Sequence, residues 1–194
     1  MDMKTAFTPL RAKLAIAVLL SATIFTHAVQ AEEAPASGFW LAVEPSTVSY
    51  ALTGPAVSRH QRRTSANRPY NENNIGLGLE QRADLLAAPQ WERAVGASVL
   101  KDSYNAAAVF ATVALTREVG TAFGMELRAG VVAGLAYKYW SWNGPRHLTP
   151  YLGPTVTLRH LASKLGLNLV YIYRTNFRSD KGSGLLILQT SYEF

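Results

Sequence analysis

The chain has 194 residues, 48% of them hydrophobic, which suits one compact domain and hardly two. It holds no cysteine, so disulfides, thiolate catalysis and thiolate metal sites are excluded. A net charge of +6 on a chain that opens with an export signal points to anionic lipid or a polyanionic cell surface rather than to nucleic acid.

Residues 1–31 have the pattern of a cleaved signal peptide. Lys4, Arg11 and Lys13 form its basic start, Leu14 to Phe25 its apolar stretch, and Val29-Gln30-Ala31 a small-residue cleavage site. The apolar stretch is shorter than the ~20 residues of a membrane-spanning helix. Residues 32–38 form a small, polar, flexible leader. From 39 onward the hydrophobic pattern has period two, which predicts strands. The first, Phe39 to Tyr50 with a continuation toward Val57, is interrupted by Pro45 and Pro55. A long basic loop, Arg59 to Asn74, precedes a cleanly alternating strand from Ile75 to Arg82, and a short connection with Pro89 follows. Trp91 to Leu100 and Ala106 to Thr116 are the third and fourth strands, followed by a turn at Arg117 to Thr121. Phe123 to Tyr137 sets Leu127, Val131 and Leu135 on one face and Glu126 and Arg128 on the other. Beyond the loop Lys138 to Thr149 come strands at Pro150 to Leu158 and Leu165 to Tyr173. The loop Arg174 to Ser183 leads to a last strand from Leu185 to Phe194.

Eight strands with alternating short and long connections predict an all-β fold over residues 39–194. The expected architecture is an eight-stranded antiparallel transmembrane β-barrel of the bacterial outer membrane, apolar outward and polar inward. Glu80, Arg82, Glu126 and Arg128 belong to the inward set, where opposite charges can pair. Tyrosines and tryptophans near strand ends, among them Tyr137, Tyr139, Trp140, Trp142, Tyr171, Tyr173 and Tyr192, resemble interfacial girdles. A soluble periplasmic barrel or sandwich would turn the same apolar faces inward. The barrel is expected to be a monomer whose terminal strand, ending in Phe194, engages the barrel assembly machinery.

The four outer loops carry ten Lys and Arg against three Asp and Glu, enough to bind the phosphates of lipopolysaccharide. The same rim gathers His60, Asp102 and Ser103. A serine needs a base to act as nucleophile, imidazole suits that task near neutrality, and a carboxylate can orient the ring. A loop Asp-Ser is also ordinary turn chemistry, and His147 is a competing imidazole at the same end. Ligand spacing for a metal is absent, and no loop of a phosphate-cradling kind leads from strand to helix, so neither metal nor cofactor is expected.

Tyr70-Asn71-Glu72 before Gly76-Leu77-Gly78, followed by Lys101-Asp102-Ser103-Tyr104-Asn105, resembles the lipid A palmitoyltransferase (PagP-type) family over Arg59 to Thr116. Tyr104 stands where that family has tryptophan, and the first strand matches poorly. The resemblance implies transfer of a palmitoyl-type chain from an outer-membrane phospholipid to lipid A. It implies His60, Asp102 and Ser103 as catalytic residues and lateral access at prolines, for which Pro150 and Pro154 qualify. On this reading Lys101, Tyr104, Asn105, Arg59, Arg62 and Arg63 bind substrate, and Thr112 or Ala114 forms the floor of the acyl site. The alternative is a non-catalytic surface barrel that binds lipopolysaccharide or a partner through its loops. An apolar, hollow outer half of the lumen would favour the enzyme, and a packed or charged one the binder.

Overall fold

A computed structural model describes residues 41–60, 64–65, 68–139, 144–173 and 184–194. The signal peptide and leader expected over 1–38 therefore lie outside the described residues, as do Arg62, Arg63, Trp140 and Trp142. Eight long strands make up the fold: β1 (Ser49–His60), β2 (Gly76–Leu85), β3 (Ala88–Lys101), β4 (Ala107–Ala122), β5 (Met125–Tyr139), β6 (Arg146–His160), β7 (Leu165–Ile172) and β8 (Leu185–Glu193). Each pairs antiparallel with its neighbour in sequence. β8 then returns to pair with β1 from Ala51↔Glu193 to His60↔Leu185, which closes the barrel. Closure leaves no strand at the end of the sheet without a second neighbour, which is how a sheet crosses hydrocarbon.

Period-two alternation decides which face meets what. Leu77, Leu79, Val99, Val113, Leu127, Val131, Leu135, Leu152, Leu167 and Leu188 all project outward and are exposed. A soluble barrel would bury these side chains; here the greasy face is the outer one, which is the surface of a bacterial outer-membrane barrel. The opposite phase carries Thr53, Arg82, Glu92, Thr116, Glu126, Arg128, Thr157 and Asn168 into a closed interior. Facing lipid, a mid-plane arginine would cost about 2–4 kcal/mol. Turned inward, these arginines find carboxylates. Arg82 pairs with Glu80 at 2.9 Å, Arg128 with Glu126 at 2.7 Å, and Arg159 with Glu92 at 2.9 Å. Arg159 also reaches Glu193 and Glu126 at 3.4 and 3.5 Å, tying four strands together near the end of the barrel that carries the short turns.

The first strand is displaced from its expected place. Pro45 opens a single 3₁₀ turn, Pro45–Thr47, which Glu44 caps by accepting from the Ser46 N–H, so the strand cannot begin until Ser49. Pro55 is accommodated inside β1, because the register slips between Thr53 and Ala56 and its missing N–H breaks no ladder bond. The strand then continues to His60, into what the sequence presents as loop. β4 likewise runs through the expected turn at Arg117 to Thr121, with a bulge between Glu118 and Gly120. The reversal comes at Phe123 and Gly124, both at positive φ (53° and 73°). Pro89 lies within β3 rather than in a connection, and β5 and β6 consume half of the loop expected between Lys138 and Thr149.

Candidate active site

The long connections gather at one end of the barrel, and there the chain folds back on itself. Asn73–Asn74 forms a short ladder with Val57 and Ala56 of β1. That contact bends the segment from Tyr70 to Asn74 across the mouth, where its polar groups fasten two neighbours together. Toward β1, the Ser58 N–H donates to the Glu72 carbonyl at 2.8 Å. The Glu72 carboxylate lies 3.5 Å from both the His60 N–H and the Arg59 guanidinium. Toward the β3–β4 connection, the Asn71 N–H donates to the Ser103 carbonyl at 2.9 Å, and its side-chain amide donates to the Asp102 carbonyl at 3.0 Å. Asn74 donates to the Lys101 carbonyl at 2.8 Å.

Held between these fastenings, His60 Nε2 and Ser103 Oγ stand 2.8 Å apart, a hydrogen bond between side chains separated by 43 positions. Both are buried, at 7% and 3% exposure. The Tyr70 ring lies on the imidazole, with centroids 4.2 Å apart and planes 20° from parallel. Tyr104 meets Tyr70 edge-on at 5.8 Å. Arg59 faces outward with a side chain 59% exposed and pairs with Glu72 at 3.5 Å, and His60 is the last residue of β1, at the rim. The imidazole pKa is lowered to about 4, first because burial penalises the charged ring and next because the Lys138 ammonium repels it; Glu72 opposes both. The lowered pKa keeps the imidazole neutral near pH 7, the form that can accept a proton, while making it a weaker base than a solvated histidine.

Asp102 lies in the same cluster, 3% exposed, in a role that turn chemistry anticipates. Its Oδ1 accepts from the Tyr104 and Ala106 N–H groups at 2.8 and 2.9 Å, shaping the turn whose Asn105 adopts a φ of 62°. It makes no hydrogen bond to the imidazole: among the described residues, His60 Nδ1 and Asp102 Oδ2 are each buried without a hydrogen-bond partner. In place of the expected carboxylate-to-ring contact, the Asp102 carboxylate is fixed in the turn through Oδ1. Replacing Asp102 with asparagine keeps that acceptor and should leave the unfolding midpoint in detergent almost unchanged. Alanine removes both bonds and should cost about 1–3 kcal/mol. Asparagine destabilising as much as alanine would show that the charge, not the cap, matters.

The other expected residues separate into two groups. Lys101 and Asn105 are exposed on the rim, Tyr104 is half-buried against Tyr70, and Arg59 is outside beside Glu72. Thr112 and Ala114 face the lumen from β4, and both line an internal cavity of about 100 Å³. Its upper wall is apolar, with Leu100, Phe110, Val132, Val170, Ile172 and Ile187; its lower wall meets Glu80, Arg82 and Glu92. Tyr151 crosses this space and hydrogen-bonds Thr112 at 2.6 Å. His147 is exposed on the strand beyond. Lys138, expected in a loop, is instead in β5, in phase with Glu126 and Arg128, and it acts electrostatically on both His60 and Asp102. That phase was the signal available for it: twelve residues beyond Glu126 is an even step.

No family model matches this chain, and no curated protein matches it. Among solved structures it is similar to the outer membrane protein Ail of Yersinia pestis, with 14% identity, 76% of this chain and 99% of that one covered, and a TM-score of 0.43. It is similar also to the N-terminal β-barrel domain of Pseudomonas aeruginosa OprF, with 12% identity, 76% and 98% coverage and a TM-score of 0.45. Neisserial surface protein A gives 13% identity, 75% and 95% coverage and a TM-score of 0.46. Likenesses this loose decide nothing about the chemistry at the rim.

Proposed function

We propose that this protein is an acyltransferase of the bacterial outer membrane that moves a palmitoyl-type chain from a phospholipid to lipid A, as the resemblance to PagP-type enzymes implies. The observation that carries the reading is the buried 2.8 Å contact between His60 and Ser103, set above a hollow whose upper wall is apolar and whose lower wall is charged. In this reading His60 Nε2 takes the proton from the attacking hydroxyl, that of Ser103 or of the lipid acceptor. The hydroxyl oxygen bonds to the ester carbonyl carbon, the ester C–O bond breaks, and the imidazolium returns its proton to the leaving oxygen; where Ser103 is the attacker, a lipid A hydroxyl, deprotonated by His60, then attacks the acyl-Ser103 ester, whose C–O bond breaks as the proton returns to Ser103. Lys138, inside the rim, and Lys101 and Arg59, on it, supply cations for lipid phosphates and for the charge that develops on the carbonyl oxygen. Arg62 and Arg63 are assigned to the same task.

Lateral access for lipid finds support in the β6–β7 ladder, which runs from Arg159↔Gly166 only as far as Thr155↔Val170. Above that point β6 carries Pro154 and Pro150, which have no N–H to offer a neighbour. The acyl chain then lies between Leu100, Val132 and Ile172, above a floor at Thr112 and Ala114 with Tyr151 across it.

The test is mass spectrometry of lipid A from cells that lack such an enzyme and express this protein. Wild type should add one chain, and Ala114→Phe should add a shorter one, because the larger side chain raises the floor. Lipid A left unmodified by a folded, surface-located barrel would end this reading in favour of a binder that uses its basic loops.

A further inference from the structure

We propose that Tyr70 is a positioning residue, whose ring, stacked on His60 and braced by Tyr104, holds the imidazole in line with Ser103. The inference rests on the acyltransferase reading for its kinetics, and on the geometry of the rim alone for its effect on His60.

The contacts form a closed circuit. His60 touches Ser103 through Nε2 at 2.8 Å, Tyr70 covers the face of the imidazole at 4.2 Å, and Tyr104 presses edge-on against Tyr70 at 5.8 Å. Tyr104 is the residue after Ser103, so the brace returns to the hydroxyl it serves. A ring stacked within 20° of parallel restricts rotation of the imidazole about its last side-chain bond. That restriction matters here because, among the described residues, no carboxylate holds the other ring nitrogen: His60 Nδ1 has no hydrogen-bond partner there, and Asp102 Oδ1 is occupied with the turn. In a site where the usual orienting hydrogen bond is missing, an aromatic face takes over the task of aiming the base.

The segment that carries Tyr70 is built for this. Asn71 is bonded to the backbone of Ser103 and Asp102, and Glu72 to the backbone of Ser58 and His60, so Tyr70 is placed from both sides of the site it covers. The ring also excludes water from one face of His60. The charged groups that bear on the imidazole are Lys138 from β5 and Glu72 from the Tyr70 segment, and substitution of Tyr70 alters neither.

The experiment compares Tyr70→Ala and Tyr70→Phe in the full barrel in detergent micelles. Sheet content by circular dichroism confirms folding. Misaiming a base by about 1 Å costs on the order of 10²-fold, so Tyr70→Ala should lower kcat by about that factor with KM within about twofold, while Tyr70→Phe should stay within about threefold of wild type. A second readout needs no activity: the imidazole NMR titration of His60, assigned by its loss in His60→Ala. In wild type it should fall near 4 and in Tyr70→Ala move up toward 6.5, with Tyr70→Phe unchanged. An unmoved titration in a folded Tyr70→Ala, or a phenylalanine variant as impaired as alanine, would overturn the stacking role. Wild type that transfers no acyl chain, with the titration still moving in Tyr70→Ala, would remove the enzymatic reading and leave the positioning inference standing.

Discussion

On the proposed acyltransferase reading, His60→Ala is expected to lower acyl transfer by roughly 10²–10⁴-fold, the usual contribution of a positioned general base. Ser103→Ala should fall equally far if Ser103 is the group whose proton is taken. The double variant should be no worse than the more damaging single one, because the two side chains act through one hydrogen bond. The pH profile carries the same information. A neutral imidazole is the active form, and burial and Lys138 hold its pKa down to about 4. Activity should therefore be flat from pH 6 to 8 and fall only as the pH drops through the region near 4, well below the fall near 6.5 expected of a solvated histidine. Lipid A acylation that persists unchanged in His60→Ala would sink the assignment of the base.

Alternation carries information wherever a strand is paired on both sides, which is why Glu80, Arg82, Glu126 and Arg128 are inward in sequence and structure alike. It fails where proline intervenes. Pro45 and Pro55 obscure where β1 starts, and only pairing with β8, 125 positions away at His60↔Leu185, extends the strand to the residue that matters most. Stopping the fifth strand at Tyr137 put Lys138 in a loop; one more residue in phase turns it into the lumen.

The site shows a similar division. That His60, Asp102 and Ser103 share a rim follows from strand order. That His60 and Ser103 meet while Asp102 caps a turn does not, because a turn aspartate and a ring-orienting aspartate have the same sequence signature. The bridging role of Tyr70-Asn71-Glu72 is hidden for a further reason. It depends on a two-residue ladder between Asn73–Asn74 and β1, too short to leave any periodic trace.

The largest stability effect is expected from the ionic layer, and from Arg159 in particular. Its side chain is 12% exposed, and its guanidinium serves Glu92 through two contacts at 2.9 and 3.0 Å, as well as Glu126 and Glu193. Removing it leaves Glu92 with no cation among the described ion pairs, while Glu126 keeps Arg128 and Glu193 keeps Arg82. A buried charge stripped of its partner costs about 3–5 kcal/mol, so Arg159→Met should lower the urea midpoint of unfolding in micelles accordingly. Arg159→Lys keeps the charge but not the fork, and should recover only part of the loss. The decisive comparison is Arg159→Met combined with Glu92→Gln. If the loss comes from an unpaired carboxylate, neutralising Glu92 should restore much of it, whereas a double variant as unstable as the two losses added would mean that the layer acts through packing.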